Sequence, residues 1–314
     1  VSRQRSMVDR SLQSRGCRAA TRPAHVRLLC FGETGQVARE LALRLPADWS
    51  LEALDRTRAP LDDPERCRRA VAAFGGDAVI NAAAWTAVDA AEGAEAEARA
   101  INGVAPTAMA EACAERGLPF VHLSTDYVFP GTGTTPWRPD DAVKPVNAYG
   151  RSKLAGERGV IASGATAVVL RTAWVFSPFG SNFLRTMLRL GAERDSLRVV
   201  ADQIGGPTPA AAIADACLDI TRQLAEDSGK AGIYHFSGTP DVSWAEFARA
   251  IFEAGNRDVQ VEEIPSSEFP TPAARPANSR LDCSTTEAVF GIARPDWRAA
   301  LVTTLERIER EESP

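Results

Sequence analysis

Tyr149 and Lys153 stand four residues apart in Tyr149-Gly150-Arg151-Ser152-Lys153, a spacing that puts both side chains on one face of a helix. An ammonium beside a phenol favours the phenolate, so it should draw the tyrosine down from its usual value near about 10. Tyr149 would then serve as a proton donor and acceptor near neutral pH. An ordinary amphipathic helix also produces Tyr-x-x-x-Lys, so the pair needs company. Ser124-Thr125-Asp126 supplies it, at the end of an apolar run where a hydroxyl could hold a carbonyl against Tyr149. A turn or helix-cap cluster is the other reading of those three residues.

The second constellation is Gly32-Glu33-Thr34-Gly35-Gln36-Val37-Ala38. Glycines at this point allow a tight turn and close backbone approach to a pyrophosphate, which the free N–H groups of a following helix would meet. Ala38 is small enough for the helix-on-strand packing often left to a third glycine. Asp55, about 20 residues on, suits the adenosine ribose hydroxyls and so NAD; Arg56 and Arg58 beside it suit the extra phosphate of NADP. Asn81-Ala82-Ala83-Ala84 closes another strand with residues small enough to lie against a flat cofactor.

These residues require a particular frame. Val26-Arg27-Leu28-Leu29-Cys30-Phe31 is short, mostly apolar and stopped by Gly32, as a buried parallel strand would be. A helix from 36 to 44 follows, closed by Pro46, then a strand over 51–54. The alternation continues with a helix over 64–74, a strand over 78–80, an Ala-rich helical stretch over 90–116 broken near Gly103 and Pro106, and a strand over 119–123. A helix over 148–161 and a strand over 167–170 complete it. Strand and helix in regular alternation predict an α/β fold, a Rossmann-like doubly wound parallel sheet. Beyond Thr172 the pattern loosens, with helices expected near 183–191, 210–224 and 243–255 between Pro/Gly-rich loops. The expected organisation is a dinucleotide-binding domain over 26–172, with parts of 195–235 returning to it, and a smaller, loop-rich C-terminal substrate lobe from 173–194 and 236–314.

The bulk properties exclude other classes. A formal net charge of −5 is wrong for a nucleic-acid binder, and no run approaches the length of a membrane span. Six cysteines lie scattered without Cys-x-x-Cys spacing, which reads as reduced thiols in a cytoplasmic protein. Three histidines, far apart, make a zinc site improbable and leave acid–base work to another residue type. The first 25 residues hold six arginines against one acid and begin with Val; they read as a disordered leader.

Taken with Thr86-Ala87-Val88-Asp89, Val128-Phe129-Pro130-Gly131, Arg171-Thr172-Ala173-Trp174-Val175-Phe176, Asn182-Phe183 and Arg275-Pro276-Ala277-Asn278-Ser279-Arg280-Leu281, these motifs resemble the extended short-chain dehydrogenase/reductases. Within them the chain resembles the dTDP-4-dehydrorhamnose reductase family, over about 26–297. The resemblance implies reduction of the C4 keto group of a dTDP-sugar with NADPH, NADH being the alternative. It implies Thr125, Tyr149 and Lys153 as the catalytic three. Gly32, Thr34, Gly35, Gln36, Val37, Asp55, Arg56 and residues 82–84 (Ala82, Ala83, Ala84) would hold the cofactor, with Tyr149 and Lys153. Thr86, Val88, Thr125, Asp126, Trp174, Asn182 and Arg275 would meet the substrate. Some members of the family dimerise through Mg2+ held by acids; no convincing set stands out here, and a homodimer is the expected assembly. Trp85 departs from the family in placing a large ring on the pocket wall, or packs as plain core. The rival readings are another nucleotide-sugar reductase of the same superfamily, an epimerase or dehydratase of it, which would keep its nicotinamide bound, and a non-catalytic subunit resembling that of methionine adenosyltransferase.

Overall fold

A computed structural model describes residues 25–312; the expected leader lies outside them. Six parallel strands form the central sheet: β1 (Val26–Phe31), β2 (Trp49–Leu54), β3 (Ala78–Asn81), β4 (Phe120–Thr125), β5 (Ala167–Thr172) and β6 (Gly232–His235). Their spatial order is β6-β5-β4-β3-β1-β2. The chain runs outward from β1 to β2 and then returns to the other side of β1 to lay down β3. The carboxyl ends of β1 and β3 therefore flank the switch point at which open α/β sheets bind ligands.

The strands are apolar on both faces because helices cover both. In β1, Leu28 and Cys30 join one core with Val37 and Leu41 of α1 (Gln36–Leu43) and Ile213, Cys217 and Ile220 of α6 (Ala210–Glu226). Leu29 and Phe31 face the other core, with Cys67 and Val71 of α2 (Pro64–Ala73), Met109 and Cys113 of α3 (Ala105–Arg116) and Val160 of α4 (Ala148–Ala162). The two-fold alternation of β1 thus chooses a helix layer residue by residue.

The Ala-rich stretch departs from expectation. Instead of breaking at Gly103, the chain stays helical through 88–93, 95–99 and a π-turn over Ala100–Val104 that leads into α3. Pro106 lacks an N–H to donate, and the wide turn before it accommodates the ring without ending the helix. The turn also aims the buried side chain of Asn102, whose use appears below.

A third core belongs to the lobe. Leu184 and Met187 of α5 (Phe183–Gly191), Phe247 and Ile251 of α7 (Trp244–Ala254) and Trp297 and Leu301 of α8 (Trp297–Glu312) pack together. Within 195–235, Ala210–Glu226 and Gly232–His235 join the sheet domain, while Ser196–Val200 pairs with Gln260–Ile264 of the lobe. No helix of the described residues is long and apolar enough to cross a membrane.

Candidate active site

Gly32 leaves β1 with φ +107°, a conformation that glycine adopts without strain. A Cβ there would sit 3.4 Å from Ala82 and Ala83, so the loops after β1 and β3 meet closely across the switch point. Gly35 then caps α1 with no side-chain hydrogen bond, and no acid stands in the first turn. A Cβ on Gly35 would meet nothing within 4 Å, so the space beside the helix start is open. Glu33, Thr34 and Gly35 are exposed, whereas the Val37 side chain is buried in the core, which leaves its backbone as the part a ligand could reach.

Gln36 is anchored through its oxygen, which accepts from Ser177 Oγ at 2.8 Å and Asn182 Nδ2 at 3.0 Å. Asn182 also donates to the carbonyls of Ser177 and Phe179, and its Oδ1 caps α5 by accepting from the Arg185 N–H. Expected at the substrate, it ties the glycine loop to the lobe instead. Past β2, Asp55 Oδ1 accepts from the N–H of Arg58 at 2.8 Å and of Thr57 at 3.0 Å and from the Thr57 hydroxyl at 2.8 Å. These bonds, the Arg58 N–H foremost, hold the carboxyl below its ordinary range. Arg58 turns back to Glu52 and the Ala53 carbonyl, while Arg56 is exposed beside Asp55. An uncapped helix start, a close glycine turn and an ionised carboxylate at the end of β2 fit a dinucleotide.

Helix α4, which carries Tyr149 and Lys153, begins with two tethers. Asn147 caps α4, accepting from Gly150 N at 2.8 Å, and donates to the Ala274 carbonyl at 2.8 Å; such a cap contributes about 1 kcal/mol. Gly150 is dictated by contact, since a Cβ there would lie 2.2 Å from the Tyr127 carbonyl. Asn102, from the π-turn, accepts from Trp85 N at 2.8 Å and donates to the Trp85 carbonyl and Ser152 Oγ. It thereby clamps the loop after β3 to α4, and Trp85 itself packs with Ala91, Ala98, Ala148 and Tyr149.

Tyr149 lies edge-on to Tyr127, with ring centroids 5.6 Å apart. Thr125, at the end of β4, donates to Asp126 Oδ1 at 3.0 Å and accepts from Tyr127 N. Burial pushes the Asp126 carboxyl up to about 6, against hydrogen bonds from Ser279 and Thr125, and its Oδ2 is buried without a partner. Tyr149 is pushed up from its ordinary value, first by burial and then by the Asp126 charge, with Thr125 acting the other way. This corrects the expectation of a lysine-lowered phenol. The reason is geometric: Lys153 Nζ donates to the Leu123 carbonyl at 2.7 Å and lies 3.4 Å from His122 Nε2, beneath the ring. Burial brings the lysine itself down to about 8, with the Glu157 charge opposing.

The remaining residues expected at the substrate lie on other loops and helix starts. Thr86 is exposed and Val88 half-buried, on the loop and first helical turn after β3. Arg275 pairs with Asp89 at 2.8 Å and donates to the Ala273 carbonyl at 3.1 Å. Trp174 adopts φ +51°, strained for a bulky residue, and is held by the Thr208 N–H at 3.0 Å and by stacking on Trp244 at 3.5 Å. No group of three or more His, Cys, Asp or Glu able to hold a metal occurs among the described residues.

Sequence reasoning missed the polar residues beneath the site. Glu157 and Arg171, each 2% exposed, pair at 2.7 Å, and Ser124 donates to Glu157 at 2.5 Å. His122, fully buried, receives Asn81 Nδ2 at 3.1 Å. The available signal was a lone histidine between Val121 and Leu123 in an otherwise apolar strand.

A nucleotide site at the switch point, with a Tyr–Lys helix beside it, defines a nicotinamide-dependent oxidoreductase of the extended short-chain type. The RmlD substrate binding domain family model matches residues 26–310. The dTDP-4-dehydrorhamnose reductase of Sinorhizobium fredii is 44% identical over 282 residues, 87% of this chain and 94% of that protein; the Escherichia coli K12 enzyme is 37% identical over 291 residues, 90% and 97%. The Clostridium acetobutylicum structure superposes with TM-score 0.86 at 32% identity, over 90% of this chain and 100% of that one. The Bacillus anthracis enzyme, solved in complex with NADP, gives 0.82 at 32% identity over 91% and 99%. The chain belongs to the dTDP-4-dehydrorhamnose reductase family.

Proposed function

We propose that the protein reduces the C4 keto group of dTDP-4-dehydro-6-deoxy-L-mannose to give dTDP-L-rhamnose, with NADPH as reductant and NADH as an alternative. The observation that carries the reading is the meeting of Thr125, Tyr149 and Lys153 at the carboxyl edge of the sheet, next to the switch point. A bound dinucleotide supplies hydride to C4. The chain's own residues do the rest. Tyr149 gives its proton to the carbonyl oxygen as negative charge develops there, and Thr125 orients that oxygen by hydrogen bonding. Lys153, protonated, holds the nicotinamide ribose hydroxyls and lowers the phenol once the two groups share that ribose.

Gly32, Thr34, Gly35, Gln36 and the Val37 backbone take the pyrophosphate, residues 82–84 line the cleft, and Asp55 with Arg56 reads the adenosine ribose. Asp55 favours bare hydroxyls and Arg56 favours a phosphate, which supports use of both cofactors. Thr86, Val88, Asp126, Trp174 and Arg275 surround the sugar nucleotide, with Arg275 on its pyrophosphate. Asn182 acts behind them, through Gln36.

The test is the loss of reduced-nicotinamide absorbance with that sugar nucleotide, run separately with NADPH and NADH. Sugar-dependent oxidation is expected with both. Folded protein that binds either cofactor and oxidises neither would overturn the reading.

A further inference from the structure

Beneath Lys153, a chain of hydrogen bonds starts from a group whose polarity cannot be reversed. The Ala83 N–H is a donor only, and it points to Asn81 Oδ1 at 3.1 Å. The other end of that amide is therefore Nδ2, also a donor, and it faces His122 Nδ1 at 3.1 Å. His122 Nδ1 must accept, so in the neutral ring the hydrogen sits on Nε2. That Nε2–H faces Lys153 Nζ at 3.4 Å. A protonated amine has only donors, so the imidazole opposes the ammonium; a neutral amine turns its lone pair to the ring and accepts.

We propose that His122 is a positioning residue for Lys153: Asn81 locks its imidazole as the Nε2–H tautomer, and this donor sets the pH at which the lysine releases its proton. The proposal rests on the reading of Lys153 and Tyr149 given above. His122 is no proton relay, because the ring is fully buried and its far side ends on a neutral amide and a backbone N–H. It stays uncharged, burial and then the neighbouring lysine holding it well below its ordinary value.

The other groups around Lys153 are few. On its own helix stand Tyr149, one turn before, and Glu157, one turn after. From β4 come His122, the Leu123 carbonyl, and Ser124, which is held by Glu157; Asp126 lies beyond, against Tyr149. Arg171, from β5, neutralises Glu157 through two bonds, of 2.9 and 2.7 Å. The one anion positioned to keep Lys153 protonated is thus already paired; burial favours the neutral amine, and the imidazole is the polar side chain placed to add to or oppose that preference.

The full chain contains only three histidines, His25, His122 and His235, which makes 15N-histidine spectra readable. His235 provides an internal contrast. Its Nδ1 faces the Trp137 carbonyl at 3.0 Å and must carry the hydrogen, while its Nε2 faces Arg171. The two buried rings should show opposite tautomers, neither titrating between pH 6 and about 9. Asn81→Asp presents a carboxylate oxygen to His122 Nδ1, inverts its tautomer, and turns a ring lone pair on Lys153. His122→Gln offers the amine an amide oxygen instead.

In both variants the alkaline limb of kcat/KM, which marks loss of the lysine proton, should move to higher pH by roughly one unit, a tenfold change in proton affinity. An Nδ1–H tautomer for His122 in the wild type overturns the proposal. So does a lowered plateau with an unmoved limb, which is what a merely structural residue would give. The spectra need no substrate, so a wild-type enzyme without sugar turnover would count against the proposed activity and leave the tautomer result standing.

Discussion

Replacing Asp126 by Asn should stabilise the fold while damaging the site, and the size of the first effect follows from the burial of the carboxyl. Its Oδ2 has no partner, and burial carries the group from 3.8 up to about 6. A raised folded pKa means that the carboxyl is harmless below the unfolded value, where both states are protonated. The penalty develops as pH rises from 3.8 to about 6, where the unfolded state ionises and the folded state does not, and is complete above that, where the folded state holds a buried charge. About two units correspond to roughly 3 kcal/mol by pH 7.5. Asn keeps the shape without the charge. With an unfolding entropy of about 0.6 kcal/mol/K for a chain this long, the variant should melt roughly 5 °C higher at pH 7.5. At pH 4 the two proteins should melt together. Differential scanning calorimetry across pH 4–8 reads both numbers, and sugar turnover in the same variant should fall, since Asp126 contacts substrate in the proposed mode. A stabilisation independent of pH, or a variant less stable at pH 7.5, would refute the reasoning.

Tyr149→Phe removes the proton donor and should lower kcat by about 10²–10⁴-fold in the nicotinamide assay, with NADPH still bound in a fluorescence titration. Asp55→Ala should raise the Kd for NADH more than that for NADPH, because the carboxylate favours the bare ribose and opposes the phosphate; equal effects would remove it from cofactor choice. Glu157→Gln leaves Arg171 charged, buried and poorly paired, and should cost about 3–5 kcal/mol, read as a lower urea midpoint.

The sheet was legible because its strands carry a strong local signal. Leu28 to Phe31 is continuously apolar, and a strand covered on both faces has to be. Helix α5 ends where its periodicity ends, at Gly191. The Tyr–Lys spacing and the glycine turn were legible too, since each is local. What failed was non-local. Asn182 caps its own helix locally, but its tie to the glycine loop exists only because the fold brings Gln36 to it, 146 residues away. The π-turn could not be read because Gly103 and Pro106 signal a break unless α4 lies alongside; a Cβ on Gly103 would be 3.2 Å from Ala155 of that helix. The lobe's two-residue strands, such as Ile204–Gly205 between Val242–Ser243 and Asn278–Ser279, are too short to leave a periodic trace.

The placement of Lys153 on the Leu123 carbonyl shows how this site is built. Placing an ammonium directly on a phenol would lower the phenol, but it would also leave both groups committed to each other. Here Lys153 is held below, on the Leu123 carbonyl, and Tyr149 above, near Thr125, so each keeps a face for a ligand. The charges that could bias them are themselves neutralised: Glu157 by Arg171, and Asp89 by Arg275. Asp126 is the exception, a buried carboxyl without an ionic partner at the place where substrate would lie. Stability is lost there, and the backbone is strained at Trp174. Both are expected where residues are held for chemistry rather than for folding.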